Sequence, residues 1–125
     1  PNLDSWQARL AGPRWYHLDL PRHRTHFTAR GAVRLLERSG FEVLRVEHLL
    51  LEHNPFGLWQ SLVNRVTPTP SWLFHALKRN ARTRPADAVP TALALPLAPV
   101  ALGVEAAAGL ARRGGTVALL ARRVQ

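Results

Sequence analysis

Cysteine and methionine are both missing from this 125-residue chain, and lysine occurs once, at Lys78. Without cysteine there is no disulfide framework, no cysteine-ligated zinc and no thiol nucleophile, and a reducing compartment is permitted. Without methionine there is no initiator, which fits a portion of a longer protein or a processed product. The first twenty residues carry Asp4, Arg9, Arg14 and Asp19 and lack the apolar stretch of a secretory signal. There is no G-x-G-x-G run and no internal repeat. The glycine pair Gly114-Gly115 stands near the end of the chain.

What is present is apolar and basic. Apolar residues make up 46% of the chain, enough for a core, and the net charge is +9. Most of the arginines read as solvated helix exteriors in a chain rich in Arg and Ala. One cluster, Lys78, Arg79, Arg82 and Arg84, reads instead as a patch drawn to anionic lipid. The cations are not gathered with aromatics on one face, so no nucleic-acid partner is expected.

Periodicity gives the elements. Residues 3–11 form a short helix capped by Asp4 or Ser5 and ended by Gly12-Pro13. Residues 13–27 are irregular and rich in rings. Thr28 caps a helix through Ser39, with Ala32, Val33, Leu35 and Leu36 on its apolar face, and Gly40 stops it. Residues 41–51 read as a strand covered on both sides for much of its length. Residues 55–66 read as a helix with Phe56, Trp59, Leu62, Val63 and Val66 on one stripe, and residues 71–79 as a second short helix. An apolar segment, 88–111, follows the basic loop, and residues 116–121 read as a closing strand.

Three stretches carry a family resemblance. The first is Pro1-Asn2, a short helix, then Trp15-Tyr16-His17-Leu18-Asp19-Leu20-Pro21-Arg22-His23 and His26-Phe27-Thr28. The second is Leu35-Leu36-Glu37-Arg38-Ser39-Gly40-Phe41-Glu42-Val43, and the third is Gly114-Gly115-Thr116-Val117-Ala118-Leu119-Leu120-Ala121-Arg122. In order and spacing the chain resembles the C-terminal part of class I S-adenosylmethionine (SAM)-dependent methyltransferases. The resemblance implies an α/β fold, with this chain as the C-terminal fragment of a Rossmann-like, seven-stranded sheet. Strands 6 and 7 would form an antiparallel pair around a helical insertion. Residues 1–54 would hold the segment after strand 5, the last helix and strand 6. Residues 55–113 would be the insertion, a cap or membrane-associating unit, and residues 114–125 strand 7. The cofactor implied is SAM, held by an N-terminal half that this chain lacks, so the chain alone is expected to be inactive.

In that fold the chain after strand 5 faces the substrate, which places Trp15, His17, Asp19, His23 and His26 at the pocket rim. A histidine there could take a proton from the attacking oxygen or nitrogen. The structural alternative is that Asp19 pairs with Arg22 or a histidine and that the histidines satisfy backbone groups. His23-x-x-His26 matches no zinc spacing, and no metal is expected. His48 and His53 are placed at the strand's edge and exit, with Glu52 as a partner.

As a helix, residues 88–111 would extend roughly 36 Å, and a bilayer core is about 30 Å thick. Pro90, Pro96, Pro99 and Glu105 argue against spanning. An interfacial hairpin and a packed cap remain even alternatives. The interfacial version makes Trp59, Trp72, Lys78, Arg79, Arg82 and Arg84 membrane-facing, with Arg112 and Arg113 on the other flank. The expected partners are the missing half, a small-molecule or lipid-like substrate and an anionic membrane surface, and the expected location is the cytoplasm or the inner face of the membrane. The alternative function is a basic, amphipathic membrane-surface module without catalysis.

Overall fold

Side-chain caps start the first two helices. In a computed structural model that describes residues 1–124, α1 (Trp6–Ala11) begins at Ser5, whose Oγ accepts from the Ala8 amide at 3.1 Å. The next helix, α2 (Ala29–Arg38), begins at Thr28, whose Oγ1 accepts from the Gly31 amide at 3.0 Å. Each cap supplies an acceptor to an amide with no partner inside its helix. Between them the ring-rich segment forms two short 3₁₀ turns, Gly12–Arg14 and Tyr16–Leu18. After α2 come β1 (Phe41–Glu47), α3 (Asn54–Val63), α4 (Trp72–Leu77), α5 (Pro85–Ala94), α6 (Ala98–Leu110) and β2 (Ala118–Arg123). The fold is mixed α/β.

Among the described residues the sheet is the antiparallel pair β1–β2, formed across the whole helical insertion. Glu42 sits opposite Arg122, and the two side chains meet at 2.7 Å, which favours this register over a one-residue slip. β1 is four residues shorter than the 41–51 stretch. It ends because His48 and Leu49 leave the sheet to pack on Gly114 and Gly109. The expectation of two covered faces fails as well. α2 packs on β1, but Leu44 falls at a register irregularity between Val43 and Arg45 and is exposed, as is Leu120.

α3 is the central helix. Five consecutive residues, Gly57 to Ser61, are buried, together with Asn54 and Val63, because α1, α6 and the Tyr16–Leu18 turn surround it. The single apolar stripe expected of this helix is therefore corrected: Leu62 and Val66 are exposed, while Gln60 and Ser61 are buried. The apolar core is Leu58, Trp59, Val63 and Ala101.

A buried polar network ties this core to the rest of the chain. Glu105, 1% exposed, lies in the middle of apolar α6. Its Oε2 accepts from Gln7 Nε2 at 2.8 Å, and its Oε1 accepts from the Gly115 amide at 2.6 Å. Gln7 Nε2 also donates to the Asn54 carbonyl at 2.7 Å, and Gln7 Oε1 accepts from Trp15 Nε1 at 3.2 Å. Gly115 must be glycine here, since a Cβ would run into the Gln7 amide. α1, α3, α6 and the entry to β2 thus meet on two side chains.

Of Pro90, Pro96 and Pro99, expected to break the first half of the apolar segment, Pro96 interrupts the α-helical pattern with a 3₁₀ turn between α5 and α6, whereas Pro90 lies inside α5 without ending it. Residues Pro85–Leu110 form one helical run of 26 residues. Pro99 falls in the first turn of α6, where no amide donor is required, and Pro96 sits in a 3₁₀ turn, Leu95–Leu97. Length and composition would allow the run to cross a bilayer, but its second half is anchored to the body through Glu105.

Glu105→Ala should lower stability by about 3 kcal/mol, because it leaves the Gly115 amide and Gln7 buried without their acceptor. Leu93→Ala, at a site 76% exposed, should change it by less than about 0.5 kcal/mol. Thermal or urea denaturation of the two variants checks the contrast.

Candidate functional site

A concavity of about 490 Å³ opens between the ring-rich segment and the starts of α3 and α4. The first wall supplies Tyr16, His17, Asp19, Arg22 and His23. The second supplies Glu52, His53 and Phe56, and the third Ser71, Phe74 and His75. Pro1 and Thr116 close the floor. Tyr16 stands at the centre of the aromatic wall, edge-on to Phe56 at 5.4 Å and to Phe74 at 5.6 Å. Burial pushes its phenol pKa up, so it stays protonated at neutral pH.

Of the five residues expected to face substrate, three line this cleft: His17, Asp19 and His23. Trp15 does not, because its indole is buried and spent on Gln7. His26 does not either. It lies behind His23, edge-on at 6.0 Å, with Nε2 donating to the Leu18 carbonyl at 3.0 Å. Asp19 pairs with Arg22 at 2.7 Å, so for Asp19 and His26 the structural alternative describes the geometry.

The remaining two histidines differ in a way the sequence did not reveal. His17 is 8% exposed, and its Nε2 is buried without a hydrogen-bond partner against Gly57. Burial lowers its pKa to about 4. A base that weak at neutral pH is a poor proton acceptor, since an effective one titrates near the working pH. His23 is half-buried, with Nδ1 3.1 Å from the His17 carbonyl oxygen. A carbonyl only accepts, so Nδ1 donates and Nε2 is left as the lone-pair atom of the neutral ring. Of the two, His23 is the residue that can accept a proton.

Several wall residues come from helices far along the chain. Phe56 was legible as a helical stripe residue and His53 as the exit from the strand, while Phe74 falls in the second short helix expected over 71–79. His75 gave no sequence signal. Despite four histidines and two carboxylates around one cleft, no three of these groups converge as a metal site among the described residues.

The residues expected to face a membrane divide into two groups. Trp59 and Trp72 are buried, with indole donors held by the Ala94 carbonyl at 2.8 Å and the Arg82 carbonyl at 3.0 Å. They anchor helices and are not lipid-facing. Lys78, Arg79, Arg82 and Arg84 are exposed, and Lys78 Nζ lies 4.1 Å from the centre of the Phe74 ring. On the other flank Arg112 is exposed, whereas Arg113 is engaged by Asp4.

No protein-family model, curated protein or solved structure matches the chain.

His17 sets a pH dependence. Its folded pKa of about 4 lies below the ordinary 6.5, so the fold holds the ring neutral. Stability is complete above pH 6.5 and is lost as pH falls toward 4, by roughly 3 kcal/mol in all. Burial raises the pKa of Glu105, which acts in the opposite sense, so the diagnostic quantity is the difference between variants. Stability measured from pH 7 to pH 4 should fall more steeply in the wild type than in His17→Gln. Gly57→Ala, whose methyl group collides with His17 Nε2, should cost about 1–3 kcal/mol.

Proposed function

We propose that this chain is the substrate-side, C-terminal portion of a class I SAM-dependent methyltransferase whose cofactor-binding half lies upstream of Pro1. One observation carries the reading. The Asn2 amide donates to the Gly115 carbonyl at 2.9 Å, and Asn2 Nδ2 donates to the Gly114 carbonyl at 3.1 Å. The chain therefore arrives at Asn2 where β2 departs. A strand entering through Pro1 would lie beside β2, antiparallel to it and parallel to β1. That edge of the antiparallel pair is where strand 5 of the resemblance would belong. The antiparallel β1–β2 pair, preceded by α2, supports the same reading.

The residues of this chain do not fit SAM. Gly114 and Gly115 are packed against the His48 carbonyl and Gln7, so no open glycine turn remains there to cradle a nucleotide. The cofactor belongs to the upstream half, and the role of this chain is the acceptor side. The ring wall of Tyr16, Phe56 and Phe74 orients the acceptor, and His23 takes the proton that its hydroxyl or amine sheds.

A peripheral place on the cytoplasmic face of the membrane accompanies this reading. It is supported by the exposed Leu93, Leu95, Leu97 and Val100 of the apolar run and by the exposed cations at 78–84 that precede it. The same features favour a second reading, a basic amphipathic module that binds membrane surfaces without catalysis.

The reading frame upstream of Pro1 should encode a strand, a glycine-rich turn and a helix. The product carrying it should bind SAM by calorimetry, and the 125-residue chain should not. Binding by the short chain, or none by the extended one, would refute the proposal. Each cation near an anionic leaflet contributes about 1 kcal/mol. Vesicles containing phosphatidylglycerol should therefore float the chain at low salt, and charge reversal at Lys78, Arg79, Arg82 and Arg84 should cut that partitioning by roughly a hundredfold or more. Equal flotation by neutral vesicles would remove the electrostatic part of the membrane reading.

A further inference from the structure

Two hollows of opposite character share one wall. The histidine cleft has Phe56 and Phe74 in its lining. A second hollow of about 250 Å³ has Phe56 again, with Leu73, the chain neighbour of Phe74, and is otherwise closed by Pro55, Trp59, Leu95 and Ala98. This lining is almost wholly carbon. The indole nitrogen of Trp59, its one polar side-chain atom, is already given to the Ala94 carbonyl. Leu95 and Ala98 place the hollow at the junction of α5 and α6. A molecule that fills both spaces needs hydrogen-bonding groups at one end and hydrocarbon at the other.

We infer that the molecule accepted by this chain is a single-tailed amphiphile, with its polar head in the histidine cleft and its hydrocarbon tail across Phe56 in the hollow under Trp59. The lining of the hollow explains why a tail is its occupant. It leaves no side-chain polar group free to bond a polar ligand, so hydrocarbon is favoured there over water or a polar head. A larger apolar hollow, about 360 Å³, lies between α3 and the apolar helical run and includes Val66 and Val100. It shares no residue with the histidine cleft, so it cannot hold the tail of a ligand whose head is at His23. The identity of the head as a methyl acceptor rests on the methyltransferase reading, but the head-and-tail geometry does not.

The test is calorimetric titration of the 125-residue chain with 1-alkanols from hexanol to decanol, with the histidine ring protons followed by NMR. Each added methylene should tighten binding about fourfold until the hollow is full. Ala98→Phe, which fills the hollow from an exposed position, should weaken decanol by roughly tenfold or more, the worth of about two methylenes. Val66→Phe, which fills the larger hollow instead, should leave decanol affinity within a factor of two of wild type (roughly 0.4 kcal/mol). The His23 ring signals should shift at saturation. Undiminished binding by Ala98→Phe, loss in Val66→Phe or unmoved His23 signals would each overturn the inference. If decanol behaves as expected and no SAM-binding half lies upstream, the methyltransferase reading fails and the amphiphile site stands. If SAM binds the extended protein and decanol ignores Ala98→Phe, the amphiphile inference alone fails.

Discussion

A carboxylate buried in the most apolar helix of the chain is the constraint on which the other elements converge. An unpaired ionised group there would cost several kcal/mol, so Glu105 dictates its surroundings. It needs a side-chain donor and a backbone donor at once, and Gln7 and the Gly115 amide supply them. Gln7 fixes α1 against the start of α3. Gly115 fixes the entry to β2, and with it Asn2, whose amide and side chain bond the same glycine pair. The wall of the histidine cleft follows from these contacts, because Trp15, held by Gln7 Oε1, immediately precedes Tyr16 and His17.

The same carboxylate governs the long apolar run. By length, Pro85–Leu110 could span a bilayer, yet Glu105 holds its second half in the protein body. Buried Asp87 holds its start, accepting from the Thr69 amide at 2.9 Å and the Thr69 hydroxyl at 3.0 Å, and the Ala94 carbonyl accepts from the Trp59 indole in its middle. Between these anchors Leu93, Leu95, Leu97 and Val100 stay exposed, and a helical run pinned to the protein with apolar side chains in the open is suited to lie on a lipid surface rather than pass through one.

Local chemistry was legible in the sequence where it acts locally. Ser5 and Thr28 cap the helices assigned to them, and Gly40 ends the second. The pairing of β1 with β2 followed from a resemblance carried by residues at both ends of the chain. Readings that depended on which neighbour a face would meet were less secure. Trp59 and Trp72 look alike on a helical wheel whether they face lipid or backbone carbonyls, and only packing shows that both indoles donate inward. Glu105 read as an obstacle to membrane insertion because its partner Gln7 is 98 residues away. His17 and His23 were equivalent in sequence. Gly57 separates them, since the missing Cβ lets the His17 ring bury itself against α3 while His23 stays at the cleft.

The central claim is that β2 presents a free edge to a strand arriving at Asn2. Amide hydrogen exchange across residues 118–123 measures this directly. In the 125-residue chain, protection should alternate along β2, slow where amides bond β1 and fast on the outer edge. In the protein extended upstream of Pro1, the fast set should become slow. Alternation that persists in the extended protein, or uniform protection in the short chain, would contradict the account.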